Sequence, residues 1–283
     1  MEPLQEIHRD QWPQLLKIFE QDWPLNVVAY CILDTQISNP ELSTPFKFRI
    51  YAPDGNLEYG MIAMIEMFTY KEVTIHPTKG SRKIIEKALL ETNVINWSQE
   101  FYISAASDEV VQCLENIKDR KGITLSYNNT NEPPTYMQML NNDANLYENV
   151  SCPSNTYVGS LKPEDIEIVD QCWTYHSAFS HRVLKILMEN DLTYVLYSYE
   201  NKPLAWIVIN EFGALSRLFC IEEQRGKGYG ELIAKYAVNE WLKKGKVALG
   251  FTIDGNYKAE NLFRKLNFEN VGTVYWVKVN KNK

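Results

Sequence analysis

Three glycines at alternate positions, Gly226, Gly228 and Gly230, interrupt the segment LFCIEEQRGKGYGELIAKYAVNEW, residues 218–241. An apolar run precedes them, and an amphipathic helical pattern follows them. Glycine lets successive backbone N–H groups face one concavity, and the N-terminal end of the following helix adds partial positive charge. Arg225 and Lys227 add cationic side chains to the same rim. The spacing therefore predicts a site for a phosphate or pyrophosphate group.

Two common phosphate-binding motifs do not fit these glycines. The sequence reads G-x-G-x-G, whereas the dinucleotide-binding loop requires G-x-G-x-x-G, although Asp254 closes the next strand as that motif demands. The Walker pattern also fails, because no Gly-Lys-Ser/Thr follows a four-residue spacer. The spacing Arg225-x-x-Gly228-x-Gly230 instead resembles the R/Q-x-x-G-x-G/A motif of the GNAT superfamily of acyl-CoA-dependent N-acyltransferases. Taken alone, it also fits a plain glycine-rich turn between a strand and a helix.

A second segment carries the same resemblance. NYKAENLFRKLNF, which starts at Asn256, is similar to the GNAT signature N-x-x-A-x-x-L-Y-x-K-x-G-F and stands one strand after the glycine helix. A first half with GNAT-like element order but no glycine loop precedes the complete second half. This tandem arrangement resembles the glycine N-acyltransferase family. The resemblance spans most of the chain, but its specific motifs lie in the second half alone.

The resemblance implies acyl-CoA as cosubstrate and no metal. It places the pyrophosphate on the backbone of residues 225–230 and the pantetheine arm between the strands 215–221 and 246–253. Exposed backbone N–H groups near Phe219 and Ile221 would polarise the thioester, which an amine attacks directly without an acyl-enzyme. The cofactor-binding residues implied in this way are Phe219, Cys220, Ile221, Arg225, Gly226, Lys227, Gly228, Tyr229, Gly230 and Asn256.

Two positions depart from the superfamily pattern. Ala214 stands where the glycine N-acyltransferases carry the Glu that removes the ammonium proton, and Phe263 stands where many GNATs have a Tyr general acid. Loss of a base costs about 10²–10⁴-fold in rate if nothing replaces it. The candidate replacements are Glu211, His176 and His181, each of which also fits an exposed turn or helix-cap role.

The elements that must position these residues occur in the same order in the two halves. Each half shows the pattern of helix, β-hairpin, third strand, helix, strand, helix and final strand. A polar stretch from Asn141 to Thr156 separates them. We therefore predict an α+β or α/β fold with two GNAT-like domains, each a mixed central sheet flanked by helices. Residues 1–150 form a degenerate domain without a cofactor loop, and residues 156–283 form a complete domain that binds acyl-CoA.

Composition limits the classes of partner. The net charge is −7 and no basic block occurs, so we expect neither a nucleic-acid nor a membrane partner. The five cysteines lack CxxC spacing, and the first residues lack the pattern of a secretory signal. These features favour reduced thiols, with Cys220 structural and not nucleophilic, in a cytoplasmic protein.

The function expected from these residues is acyl transfer from acyl-CoA to the amine of a small acceptor such as an amino acid. One alternative is a protein or peptide N-acetyltransferase. Another is a weakly active acyl-CoA-binding regulatory protein, which Ala214 and Phe263 favour. The acyl chain, the acceptor and the oligomeric state do not follow from the sequence.

Overall fold

The structure is a computed structural model that describes residues 1–67, 70–127, 134–141 and 143–282. Its contacts divide into two compact units. The first unit contains Met1–Met137, Thr252–Asn256 and Val271–Lys283. The second unit contains Gln138–Phe251 and Tyr257–Asn270.

The first unit contains five α-helices among its described residues, and its strands form a mixed sheet. The helices are α1 (Trp12–Gln21), α2 (Val27–Ser38), α3 (Pro40–Phe46), α4 (Arg82–Glu91) and α5 (Asp108–Lys121). The strands are β1 (Leu4–Glu6), β2 (Arg49–Pro53), β3 (Gly60–Met67), β4 (Tyr70–Pro77), β5 (Phe101–Ala106) and β6 (Ile123–Tyr127). Strand β7 (Thr135–Leu140) begins in this unit and ends in the second.

Local capping explains the ends of α5. The Ser107 hydroxyl accepts a hydrogen bond from the Val110 N–H at 3.4 Å, and Asp108 and Glu109 add negative charge to the first turn. Gly122 ends the helix in the left-handed conformation at φ 62°. These signals are readable in the sequence, because each involves residues within one turn of the helix end.

The last strand of the chain joins the sheet of the first unit. Strand β13 (Phe268–Lys281) pairs antiparallel with β5 and β6 through residues 275–281, so the order is β1-β2-β3-β4-β5-β13 with β6 also on β13. The sequence-based boundaries of 1–150 and 156–283 keep this strand with the second domain. The difference arises because strand pairing is long-range, and local patterns do not reveal which sheet a terminal strand joins.

The core of the first unit lies between one face of this sheet and the helices α4 and α5. Its members include Ile62, Val73, Ile75, Ile85, Leu89, Ile103, Val110, Leu114, Val277 and Val279. Val277 and Val279 of β13 are fully buried. The C-terminal strand is therefore part of this core.

The second unit contains the glycine segment. Its strands are β8 (Thr156–Gly159), β9 (Thr193–Ser198), β10 (Pro203–Ile209), β11 (Ala214–Cys220) and the start of β12 (Leu249–Ile253). Its helices are α6 (Ile166–Gln171), α7 (Ser180–Glu189), α8 (Tyr229–Lys243) and α9 (Tyr257–Lys265). The sheet order is β12-β11-β10-β9-β8, in which β11 and β12 are parallel and the other pairs antiparallel. Helix α8 packs on β9, β10 and β11.

The fold class expected from the sequence, a mixed sheet flanked by helices, is confirmed. The helix expected after the glycines is present as α8, and the helical region that opens the second half of the chain is short. There the chain forms a single 3₁₀ turn at Pro163–Asp165 followed by α6, which ends at Gln171. In the described part of the chain, no helix combines the length and the apolarity that a membrane crossing requires.

Candidate functional site

The glycine loop connects β11 to α8 and has an open inner surface. Gly226 and Gly228 adopt φ values of 78° and 79°, which side chains of L-residues rarely adopt. A Cβ atom built at Gly226, Gly228 or Gly230 would meet no atom of the described residues within 4 Å. The first two glycines are therefore required by backbone conformation and not by packing. The first N–H groups of α8 have no acceptor within the helix, as at the start of any α-helix.

The two basic side chains of the loop also stabilise it. The Arg225 Nε donates to the Cys220 carbonyl at 3.2 Å, and its Nη1 pairs with Glu222 at 3.1 Å. The Lys227 Nζ donates to Gln224 at 2.7 Å. Both side chains are thus anchored at the loop, and their cationic charge stays beside the open surface.

Strand β11 is irregular in the middle. Trp206 of β10 faces Phe219, but Val208 faces Ser216, so β11 contains one extra residue there. Arg217 lies in this bulge at φ 51°. On its other side, β11 pairs with β12 at Ala214–Leu249 and Leu215–Gly250 and, within the described chain, at no later residue. Beyond these pairs, the β12-facing edge of β11 is open for a linear ligand.

One expected backbone donor is engaged in the sheet. The Ile221 N–H donates to the Leu204 carbonyl at 3.0 Å, contrary to the expectation that it faces the cofactor. Ile221 directly follows the last residue of β11, and its hydrogen bond to β10 continues the pairing of the hairpin and occupies this donor. Phe219 stacks on Trp206 at a centroid distance of 5.0 Å.

A buried group of charges lies beside the bulge. The Arg217 Nη1 is 3.7 Å from Asp170 Oδ1, and their side chains are 6% and 8% exposed. The Arg217 Cζ lies 4.0 Å from the ring centroid of Trp173, which favours a cation–π interaction. Among the described residues, neither Nη1 nor Oδ1 has a hydrogen-bond partner. We call Arg217, Asp170, Trp173 and the nearby Glu211 the bulge cluster.

Glu211 belongs to this cluster electrostatically. It lies in the turn between β10 and β11 and is partly buried. Burial raises the pKa of its carboxyl, and its own backbone N–H and the charge of Arg217 oppose that rise. Burial likewise lowers the pKa of Arg217, and Glu211 and Asp170 oppose that change. The positive charge of Arg217 therefore offsets part of the cost of burying Glu211, and the negative charges of Glu211 and Asp170 do the same for Arg217.

The two candidate histidines have other partners. His176 is exposed, and its Nδ1 lies 3.1 Å from the Trp173 carbonyl oxygen. His181 lies on α7 with its Nε2 3.8 Å from Glu167, an exposed carboxylate. Of the three bases suggested by the sequence, Glu211 is the one whose charge interacts with Arg217.

Ala214 and Phe263 occupy packed positions. Ala214 is fully buried at the first residue of β11, and its N–H donates to the Asn210 side chain at 2.9 Å. Phe263 packs edge-on against Phe268 at a centroid distance of 4.9 Å. A Cβ on Gly250 would lie 2.5 Å from Phe263 Cζ. The ring of Phe263 thus lies directly on the backbone of β12.

The remaining candidates lie at or near the loop. Cys220 is half-buried, and burial raises the pKa of its thiol against the opposing charges of Arg225 and Lys227. Tyr229 begins α8 with its ring 5.9 Å from Lys227 Nζ. Asn256 lies in the segment Thr252–Asn256 of the first unit, where its N–H donates to the Ile253 carbonyl at 3.0 Å. Within the described residues, no group of three or more His, Cys, Asp or Glu side chains could hold a metal ion.

Sequence reasoning missed Arg217, Asp170 and Trp173. A usable signal was present, because Arg217 is the one charged residue in the mostly apolar strand ALSRLFC. A charge in the interior of a buried strand needs a partner. Local spacing does not identify that partner, since Asp170 comes from a helix more than forty residues earlier.

Comparison with known families and structures gives two family matches. Residues 196–277 match the FR47-like protein family, and residues 3–117 match a domain of unknown function, DUF5645. The FR47-like match includes β11, the glycine loop, α8 and α9.

Several solved structures share the fold. A Drosophila protein matches over 100% of both chains at 15% identity and a TM-score of 0.84. A GCN5-related N-acetyltransferase from Sphaerobacter thermophilus covers 83% of this chain and 81% of its own at 10% identity, with a TM-score of 0.50. A GCN5-related N-acetyltransferase-like protein from Streptococcus suis covers 96% and 99% at 12% identity, with a TM-score of 0.51. The chain therefore has the fold of the GCN5-related N-acetyltransferase (GNAT) superfamily, and its residues 196–277 match the GNAT-related FR47-like family.

Proposed function

We propose that this protein transfers an acyl group from acyl-CoA to the amine of a small acceptor such as an amino acid. The observation that carries the proposal is the open glycine loop between β11 and α8, with its two positive-φ glycines and the open space in front of them. The match of residues 196–277 to a GNAT-related family supports the same function. Within that superfamily we place the chain beside the glycine N-acyltransferases, because two halves with the same element order follow one another.

Binding of the cosubstrate would use the backbone more than side chains. The loop N–H groups and the N-terminal end of α8 suit a pyrophosphate, and Arg225 and Lys227 add charge at its rim. The unpaired edge of β11 beyond Leu215 suits the pantetheine arm. Acyl-CoA supplies an activated thioester carbonyl, and its thiol is the leaving group.

The acceptor side requires a base, because an ammonium group must lose a proton before its nitrogen attacks. The new C–N bond forms as the C–S bond breaks, and the acceptor's proton passes to the base. We assign this role to Glu211, directly or through one water, because burial has raised the pKa of its carboxyl toward the working range of a general base. The positive charge of Arg217 opposes that rise.

One observation favours a second candidate function. Ala214 is buried without a carboxylate, and Phe263 offers no proton donor, so the chain lacks both side chains of the usual acid–base pair. A weakly active acyl-CoA-binding regulatory protein would tolerate these losses. A protein or peptide acceptor also fits the same chemistry. A cytoplasmic location is part of the proposal and rests on the scattered cysteines of the sequence.

The experiment is a thiol-release assay with acetyl-, benzoyl- and longer acyl-CoA against a panel of amino acids, simple amines and peptides. Thiol release with a small amine supports the proposal, and release with peptides alone supports the peptide alternative. Calorimetric titration with CoA runs in parallel. Binding without turnover supports the regulatory alternative, and absence of binding contradicts all three.

A further inference from the structure

The ring of Phe263 lies at the point where the pairing of β11 and β12 ends. Gly250 is the last residue of β12 that pairs with β11 within the described chain. A Cβ on Gly250 would lie 2.5 Å from Phe263 Cζ and 2.8 Å from Cε1, closer than any side chain tolerates. Position 250 therefore requires glycine, because the side chain of any other residue would collide with the Phe263 ring.

One further contact defines the position of this ring. Phe268, which is 5% exposed, packs against it edge-on at an interplanar angle of 70°. This geometry is favourable for two aromatic rings. Leu215, the strand partner of Gly250, is also 5% exposed. We call Phe263, Gly250 and Leu215 the apex, the place where the pairing of β11 with β12 ends.

The apex lies one strand length from the phosphate loop. Leu215 and Ile221 are six residues apart, which corresponds to about 20 Å of extended strand. An extended pantetheine arm has a comparable length. An arm that starts at the glycine loop and follows the edge of β11 therefore ends with its thioester near the apex. This step rests on the proposed function.

We propose that Phe263, seated on Gly250, is a specificity-determining residue that restricts the transferred acyl group to short, unbranched chains such as acetyl or propionyl. A longer or aromatic acyl group at the apex would have to displace a ring that Phe268 supports from one side and the β12 backbone from another.

The test compares binding of thioether analogues of acetyl-, butyryl-, hexanoyl- and benzoyl-CoA, together with CoA itself, by calorimetry. Binding of these unreactive analogues is measured on the parent protein and on Phe263→Ala, Phe263→Leu and Tyr257→Ala. Tyr257 is the matched control, because it lies on the same helix and is 71% exposed. The readout is the ratio of the hexanoyl to the acetyl dissociation constant, which cancels any general change in CoA affinity.

We expect the parent to bind the acetyl analogue at least about tenfold more tightly than the hexanoyl analogue, the usual scale of discrimination by a few methylenes. Phe263→Ala should lower this ratio about tenfold, Phe263→Leu should lower it less, and Tyr257→Ala should leave it unchanged. Thiol release with the corresponding acyl-CoA series should follow the same order.

Two results would overturn the inference. If the parent binds all chain lengths equally, the apex does not select the acyl group, although the proposed function stands. If Phe263→Leu and Phe263→Ala both fold and keep the parent's ratio, another residue selects the chain length. Should neither CoA nor any analogue bind, the proposed function fails together with the inference. If Phe263→Ala does not fold, the comparison of Phe263→Leu with the parent decides.

Discussion

Gly228→Val is the sharpest perturbation of the phosphate loop. Gly228 adopts φ 79° and ψ 6°, the left-handed region, and a Cβ added to it would meet no atom of the described residues within 4 Å. The structural cost is therefore conformational and not steric. Holding a residue with a side chain in the left-handed region costs about 1–2 kcal/mol, and a β-branched residue lies at the upper end.

The effect on CoA binding should exceed that on stability. A valine either keeps the backbone and places methyl groups in front of the loop, or shifts the backbone and turns its N–H groups away from the phosphate. A hydrogen bond to a charged group contributes about 1.5–3 kcal/mol, so loss of one such bond weakens binding by about tenfold to 150-fold, and loss of a second weakens it further. Calorimetric titration with CoA measures this loss, and urea unfolding measures the change in stability.

Gly245→Val is the matched control. Gly245 follows the other end of α8 and has φ 71°, and a Cβ added to it would likewise meet no described atom within 4 Å. Its replacement imposes the same backbone cost about 22 Å away, the length of a fifteen-residue helix. We expect the two variants to lose similar stability, and Gly228→Val alone to lose CoA affinity. Equal CoA affinity in both variants would refute the assignment of the loop to the pyrophosphate.

Further predictions concern three single side chains, Arg225, Glu211 and Ala214. Arg225→Ala should weaken CoA binding only a few-fold, and less at high salt, because this exposed charge is screened by solvent; titration at two salt concentrations checks this. Glu211→Gln should lower kcat about 10²–10⁴-fold and remove the rise of activity with pH, as a pH–rate profile would show; a parent-like profile excludes Glu211 as the base. Because the folded pKa of Glu211 is raised, its contribution to stability falls as pH increases from about 4.3 through the folded value, so Glu211→Gln should flatten that part of the pH–stability curve. Ala214→Glu should not create a base but should destabilise the fold by about 3 kcal/mol or more, because the position is fully buried; a parent-like urea midpoint would contradict its place in the core.

The bulge cluster shows where sequence reasoning reached its limit. The strand ALSRLFC could be identified from its apolar pattern, and its charged residue was visible. The bulge could not be identified from the sequence, because a single extra residue changes the pairing register without changing the local pattern. Once the bulge and α6 are in place, Arg217 meets Asp170 and Trp173, and Glu211 gains a neighbour of opposite charge.

The sequence by itself determined the local features of this protein. The strand, the three glycines and the helix α8 are consecutive, and their conformations depend on φ preferences and periodicity that act over a few residues. The helices α1, α4 and α7 likewise follow from local patterns. The tertiary structure alone decided that β13 completes the sheet of the first unit, that Ala214 is enclosed and that the Phe263 ring rests on Gly250. These contacts join residues far apart in the chain, and their free energy comes from burial and pairing that no local pattern encodes.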